Sequence, residues 1–144
     1  METQFKNRND IINDIKSFIK AIEGIEFSYI FGSFALLEKE SPSNDTFNDI
    51  DIAIYVSQDI SIDFLQFELE MEERLESLIH IRFDVRVLNG APLPFQYNVL
   101  KSGILILDKN NLLRSDFENL TLKKYYDYVH LRNEYLREIP NAPI

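Results

Sequence analysis

Two aspartates, Asp49 and Asp51, open the apolar run NDIDIAIYV, and their spacing suggests metal chemistry. Side chains of a β-strand alternate between its faces, so both carboxylates would point the same way, about 6–7 Å apart along the strand. Two like charges beside an apolar sheet repel each other, and a cation between them relieves the repulsion. Carboxylate oxygens suit Mg2+ or Mn2+. The pair therefore indicates a metal site, and such a metal suggests a phosphate-bearing ligand.

A Gly-Ser pair precedes these aspartates, at the end of an apolar run that reads as a strand from Glu26 to Phe31. Gly32 can adopt a positive φ angle and lets the backbone approach a phosphate, while Ser33 offers a hydroxyl and an amide. A short helix predicted from Phe34 would direct its N-terminus, which favours anions, at the same place. We therefore expect an anion cradle beside the metal site.

A third carboxylate lies in a later predicted strand. The segment IRFDVRVL, residues 81–88, alternates apolar and polar side chains, so Asp84 shares the polar face with Arg82 and Arg86. The charge of Asp84 would be balanced by an arginine, by a metal or by both. Alternation alone does not choose between these.

The composition restricts the remaining possibilities. The chain has 144 residues, 45% of them hydrophobic, which suits one well-filled core rather than two domains. The absence of cysteine excludes disulfides and thiolate zinc sites. A net charge of −9 argues against direct nucleic-acid binding and favours a basic protein partner. No apolar run approaches the roughly 20 residues of a membrane span, so we expect a cytoplasmic protein with no membrane contact.

Apolar periodicity predicts alternating helices and strands, an α/β (α+β) pattern, in a single domain over residues 1–144. The predicted helices are one from a cap at Asn9 to a stop at Gly24, the short one from Phe34, one over 62–79, one over 94–101 and a last one over 115–139, which Ser115 and Glu118 would open as a capping box. The predicted strands cover 26–31, 49–56, 81–88 and 104–107.

The last predicted helix is apolar on more than one side, which is wider than one core contact requires. Its two apolar stripes contain Leu122, Tyr125, Tyr126, Val129 and Leu136, and Tyr128, Leu131 and Tyr135, respectively. The helix is therefore either wedged deeply into its own domain or carries a surface for a partner or a second copy.

Together these residues resemble the polymerase-β-type nucleotidyltransferases, whose pattern is a Gly-Ser at a strand end, a DxD on the next strand and a third Asp on a further strand. From Phe31 to Leu107 the chain is similar to the minimal nucleotidyltransferase (MNT) antitoxins that pair with HEPN ribonuclease toxins. The shared stretches are GSFA, NDIDIAI, the strand with Asp84, and LNGAP followed by VLKSGILI. The resemblance implies a nucleotidyltransferase fold, with a small mixed β-sheet flanked by helices and a long C-terminal helix.

The resemblance also implies roles for these residues. Gly32 and Ser33 would bind the β- and γ-phosphates of ATP. Asp49 and Asp51 would hold a Mg2+ or Mn2+ ion that bridges the triphosphate, while Asp84 would share a second ion and favour deprotonation of the attacking hydroxyl. Two such ions can stabilise an in-line displacement that releases pyrophosphate. The implied activity is transfer of AMP to a tyrosine of a cognate HEPN toxin, which neutralises the toxin within a hetero-oligomer.

Two departures from the family's pattern lie between the cradle and the DxD. Leu37 stands where the family usually has glycine, and the loop leading to Asn48, where serine is common, is longer than usual. They motivate a first alternative, an antitoxin that neutralises its toxin by binding alone. A second alternative is nucleotidyl transfer to a small molecule such as an aminoglycoside, although such enzymes usually need a second domain for the acceptor.

Overall fold

The computed structural model describes residues 7–35 and 49–138, and within them the predicted mixture of helices and strands is confirmed. The elements are α1 (Arg8–Lys20), β1 (Ile25–Phe31), β2 (Asp49–Val56), α2 (Phe64–Ile79), β3 (Arg82–Val87), α3 (Leu93–Ser102), β4 (Ile104–Asp108) and α4 (Asn111–Glu138). Residues 32–35 are helical and follow β1 directly. Leu37, Asn48 and the rest of the long loop lie outside the described residues.

The four strands form one mixed sheet in the order β3-β2-β1-β4. β1 pairs antiparallel with both β2 and β4, whereas β2 and β3 are parallel. Because β2 and β3 run in the same direction, both begin at the end of the sheet where β1 finishes. The Gly-Ser pair after β1 and the aspartates at the starts of β2 and β3 therefore lie at one end of the sheet.

The two faces of the sheet carry different layers. One face packs on α1 and α2 through an aliphatic core in which Ile15, Ile52 and Leu75 are fully buried. The other face carries an aromatic cluster in which the Phe27 and Tyr55 rings stack with centroids 4.7 Å apart. α3 and α4 pack against β1 on this second face. Over β3 none of the residues in the described ranges covers the second face, and it is the face that the site occupies.

Three glutamates of α2 bind the backbone amides of the edge strand β3. The bonds run from the Phe83 amide to Glu76 Oε1 at 3.1 Å, from the Val85 amide to Glu72 Oε2 at 2.8 Å and from the Val87 amide to Glu68 Oε2 at 2.8 Å. Successive glutamates are four residues apart, about 6 Å along the helix, and successive amides are two residues apart, about 6.6 Å along the strand. The two spacings match, so each glutamate reaches one amide. In the sequence these glutamates are indistinguishable from a solvated charged helix surface.

The start of α1 differs from the prediction. The Asn7 side chain, not that of Asn9, caps the helix by accepting a hydrogen bond from the Asp10 amide at 2.8 Å. Asn9 lies inside the helix, two residues beyond the cap. Both residues are good caps, and the apolar pattern alone did not distinguish them.

The long C-terminal helix is confirmed, but its predicted start at Ser115 is wrong. α4 begins at Asn111, and the Asn110 side chain caps it by accepting a hydrogen bond from the Leu113 amide at 3.1 Å. Glu118 accepts hydrogen bonds from Tyr29 and Arg114 instead of closing a capping box. Although α4 has 28 residues, neither it nor another helix in the described ranges is long and apolar enough to cross a membrane.

The two halves of α4 have different surroundings. Up to about residue 125 it packs on the domain, where Thr121 is buried and Tyr125 stacks on Tyr97 with ring centroids 3.7 Å apart. No side chain over 126–138 is buried, and Leu131 and Tyr135 are 67% and 60% exposed. The second half is therefore an exposed apolar helix.

Replacing Glu72 by alanine should destabilise the fold, because the Val85 amide loses its carboxylate acceptor. We expect the free energy of unfolding to fall by about 1–2 kcal/mol, measured by urea denaturation. Glu73→Ala makes the same change at an exposed position of α2 and should alter the stability by less than about 0.5 kcal/mol. Equal stabilities of the two variants would contradict the capping role of Glu72.

Candidate active site

Gly32 brings the anion cradle into contact with the DxD. It has a φ angle of +76°, in the region that favours glycine, and a Cβ there would collide with the carboxylate of Asp51. Glycine is therefore required at position 32 for two reasons, the positive φ angle and the close approach of the Asp51 carboxylate. Ser33 is exposed beside it, and the fully buried Phe34 anchors the turn in the core.

The strand register brings the three aspartates together on one face. Asp51 pairs directly with Asp84 across the parallel strands, and Asp49 pairs with Arg82 on the preceding rung. Adjacent strands lie about 4.8 Å apart, so the Asp51 and Asp84 side chains are immediate neighbours. All five residues predicted for the site thus lie at the same end of the sheet, and the structure separates none of them.

The pairing of like charges is visible in the ionisation of Asp51. Its pKa is raised from an ordinary 3.8 to about 6, first because the carboxyl is partly buried and then because Asp84 and Asp49 repel its charge. Arg86 acts in the opposite direction but does not cancel these effects. The cluster therefore carries uncompensated negative charge.

Asp84, whose charge balance the sequence left open, binds an arginine. Arg86 Nε donates a hydrogen bond to Asp84 Oδ1 at 3.1 Å, with the two side chains 58% and 41% exposed. Arg82 is more distant from its own neighbour, because its Nε lies 4.0 Å from Asp49 Oδ1 and its side chain is 84% exposed. Arg86 is thus the closer of these two cations to a site carboxylate.

The donor set suits a divalent cation, although its arrangement does not yet enclose one. In the described part of the chain, no three Asp, Glu, His or Cys side chains converge on a point where a metal could sit. The raised pKa of Asp51 nevertheless indicates negative charge that a cation would relieve. Oxygen donors from two strands fit Mg2+ or Mn2+, whose remaining ligands commonly come from phosphate and water. The residues therefore fit the metal that the family resemblance implies.

An aromatic pair borders the aspartates on the β1 side, and the sequence pattern did not point to it. Phe31 lies opposite Asp51 in the sheet, and Phe95 of α3 packs edge-on against Phe31 with ring centroids 5.4 Å apart. Both rings are partly exposed. Only the position of Phe31 directly before the Gly-Ser pair was a signal, because nothing in the spacing connects Phe95 to the site.

Solved structures of the same fold come from toxin–antitoxin complexes. One chain, from a tri-AMPylated Shewanella oneidensis HEPN toxin in complex with MNT antitoxin, is 19% identical with a TM-score of 0.67, over 91% of this chain and 97% of that one. A second, from the toxin–antitoxin MntA-HepT, is 18% identical with a TM-score of 0.66, over 90% and 97%. A third, from a toxin–antitoxin with AMP-PNP, is 25% identical with a TM-score of 0.61, over 90% and 92%.

A comparison with curated proteins gave no match. A family model described as polymerase beta, nucleotidyltransferase, matches residues 13–112, from within α1 to the start of α4. This range contains the whole sheet and each residue of the Gly-Ser and aspartate cluster. The chain belongs to the polymerase β nucleotidyltransferase family.

Proposed function

We propose that this protein is an antitoxin that transfers AMP from ATP to a tyrosine of a cognate HEPN ribonuclease toxin and so neutralises it. The observation that carries the proposal is the Asp51–Asp84 rung against Gly32 in a nucleotidyltransferase domain. The fold is also that of chains from MNT–HEPN complexes, in one of which the toxin is tri-AMPylated. The complex with AMP-PNP, an ATP analogue, supports ATP as the nucleotide.

In the proposed reaction Asp49 and Asp51 would hold one divalent cation, Mg2+ or Mn2+, and Asp84 would share a second. When bound, the cations neutralise the triphosphate and lower the pKa of the attacking hydroxyl. Gly32 and Ser33 bind the β- and γ-phosphates and hold the leaving group in line. The tyrosine hydroxyl loses its proton to solvent, a loss that Asp84 favours, and its oxygen bonds to the α-phosphorus. The bond from the α-phosphorus to the oxygen that bridges to the β-phosphorus breaks, and pyrophosphate leaves. Positioning and charge provide most of the catalysis.

The openness of the site favours a protein as the acceptor. On the β3 side the described neighbours of the aspartates are Arg82 and Arg86, which are largely exposed and build no wall. A small acceptor would gain little from such a surface, since small-molecule sites bury most of their ligand. A protein acceptor needs no deep pocket, because its own surface can enclose the reacting groups. It can also bind at a second surface of the enzyme. This observation favours the toxin over an aminoglycoside-like substrate.

The exposed half of α4 is a suitable place for such binding. Tyr128 and Tyr135 continue the apolar stripe that Phe117 begins in the core, because 11 residues correspond to about three helical turns. Over the first half the stripe is buried at Thr121 and partly buried at Phe117, and it continues as the exposed Tyr128, Leu131 and Tyr135. A helix with such an exposed apolar stripe commonly lays it in a partner's groove. α4 also packs on the sheet face that carries the aspartates.

Loss of the exposed apolar stripe should weaken toxin binding without unfolding the domain. We expect Leu131→Asp to weaken binding to the cognate toxin about 10- to 100-fold in calorimetry, which is typical of a buried interface anchor. His130→Asp, which adds the same charge at an exposed position outside both apolar stripes, should bind within about twofold of wild type. Wild-type affinity of Leu131→Asp would argue against the stripe as a toxin-binding surface.

The proposed activity itself can be tested by intact mass spectrometry. The chain is incubated with the HEPN protein encoded beside it, ATP and Mg2+, and we expect one or more AMP units on the toxin. Asp49→Asn and Asp84→Asn should each reduce the rate at least 100-fold, because a metal ligand is lost. If the toxin gains no AMP and Asp49→Asn still rescues cells from it, neutralisation is by binding alone, an alternative that the Asp84–Arg86 ion pair favours.

A neutral side chain at position 51 should stabilise the fold at neutral pH, as expected for a carboxylate retained for function. Since the pKa of Asp51 is about 6 rather than 3.8, the folded state binds the proton more tightly than the unfolded state. The free energy of unfolding therefore falls as the pH rises from about 4 to about 6. Because the carboxyl is partly exposed, we expect a cost of about 1 kcal/mol.

Asp51→Asn removes this cost in folding stability. It also removes a proposed metal ligand. Its melting temperature should exceed that of wild type by roughly 2–4 °C at pH 7.5, and the difference should disappear near pH 4. Nucleotidyl transfer should be lost at both pH values. A melting temperature equal to that of wild type at pH 7.5 would contradict the repulsion between the aspartates.

A further inference from the structure

Arg86 is a cation built into the carboxylate cluster. It lies two residues after Asp84 on β3, on the same face, and its rung partner on β2 is the small, fully buried Ala53. The residue paired with Arg86 is therefore not an anion. The Arg86 guanidinium instead donates a hydrogen bond to Asp84 Oδ1 at 3.1 Å. The bond joins two residues of one strand, so it forms within this chain without a ligand.

Negative groups surround this guanidinium on two sides. Besides Asp84, the charges of Glu68 and Glu72 raise the pKa of Arg86, and both glutamates are held toward β3 by their bonds to its amides. Arg86 in turn lowers the pKa of Asp51 across the sheet. The guanidinium thus provides part of the positive charge that the aspartates would otherwise take from a metal.

We propose that Arg86 is a positioning residue that occupies Asp84 in the resting site and competes with the divalent cation for this carboxylate. A guanidinium does not lose its proton in proteins, so Asp84 becomes available to a metal only when its bond to Arg86 breaks. The inference rests on the proposed function, because it treats the aspartates as a site for a metal and a nucleotide.

The nucleotide triphosphate provides the alternative partner that releases Asp84. Arginine binds phosphate oxygens through two parallel hydrogen bonds, which is stronger than the single bond from Nε to a carboxylate. Binding of the nucleotide therefore frees Asp84 for the cation. By linkage, the cation tightens nucleotide binding by the same factor. The free protein holds its metal weakly, and the nucleotide completes the site.

Manganese binding tests this role without requiring catalysis. Free Mn2+ is measured by electron paramagnetic resonance in titrations of the full chain, with and without an ATP analogue that has a methylene bridge between the α- and β-phosphates. Without nucleotide, we expect Arg86→Met to bind Mn2+ about 5- to 10-fold more tightly than wild type, because one nearby positive charge is gone. The tightening caused by the analogue should be smaller in this variant than in wild type.

Two variants serve as controls. Arg82→Met removes the other arginine of the same strand, which is 4.0 Å from Asp49 and more exposed, and should change Mn2+ affinity less than about twofold. Arg86→Lys retains a cation and should restore the weak binding of wild type. The Arg82 and Arg86 side chains are 84% and 58% exposed, so each variant should stay folded, with a melting temperature within about 3 °C of that of wild type.

The outcomes separate the role of Arg86 from the proposed function. Wild-type Mn2+ affinity in Arg86→Met, or an equal gain in Arg82→Met, would overturn the role of Arg86. If Mn2+ binding is lost in Asp49→Asn but is unchanged in Arg86→Met when no nucleotide is present, only this role fails. If Asp49→Asn binds Mn2+ as wild type does, the metal lies elsewhere and the proposed function fails as well.

Discussion

Asp51 and Asp84 are paired across two parallel strands, where their negative charges repel each other. The arrangement of the surrounding residues follows from this repulsion. Like charges directly opposite in a sheet destabilise it, and partial burial adds to the cost, as the raised pKa of Asp51 indicates. The structure limits the cost in two ways. The rung lies at the start of β2 and β3, where the face is open to solvent, and Arg86 binds one of the two carboxylates. The fully buried residues of β1 and β2 then stabilise the strands that carry the charges.

The two faces of the sheet have different roles, because one forms the aliphatic core and the other bears the aspartates. α1 and α2 cover one face with an aliphatic layer that is continuous from Ile15 to Leu75. On the other face an aromatic cluster fixes α3 and α4 over β1, and the ion pairs of Arg114 with Asp108 and Glu118 add to that contact. The uncovered part of this second face bears the aspartates. Because α4 is held firmly over its first half, its exposed second half extends from a fixed base, as a binding surface requires.

Much of this arrangement could be predicted from the sequence, since alternation and local chemistry are short-range signals. A period of two placed Asp49 and Asp51 on one face of their strand and Asp84 on the polar face of another, and the register then made Asp51 and Asp84 neighbours. The sequence could not give that register, because pairing between strands far apart in the chain depends on the whole sheet. The bond between Asp84 and Arg86 remained one of several possibilities for a local reason, because alternation places Arg82 and Arg86 at equal distances along the strand from Asp84.

Two of the features that the sequence did not reveal are tertiary. The glutamates of α2 look like a solvated surface until β3 lies beside them, and Phe95 joins the site only because α3 crosses the sheet. The start of α4 was predicted four residues late, because Ser115 and Glu118 match a capping box whereas the Asn110 cap gives a weaker pattern. Glu118 has a different task, the hydrogen bond with Tyr29, whose pKa rises through burial and the nearby carboxylate.

The glutamates along β3 also limit how another polypeptide can approach the aspartates. An exposed edge strand normally offers its amides to an extended segment, which then adds to the sheet as a further strand. At this edge the amides of residues 83, 85 and 87 already have carboxylate partners. A segment lying alongside would have to displace three charged acceptors and would meet their negative charge. Under the proposed function, an acceptor tyrosine would therefore reach the aspartates from the side of the second face, on a helix or a compact loop, rather than within an extended strand.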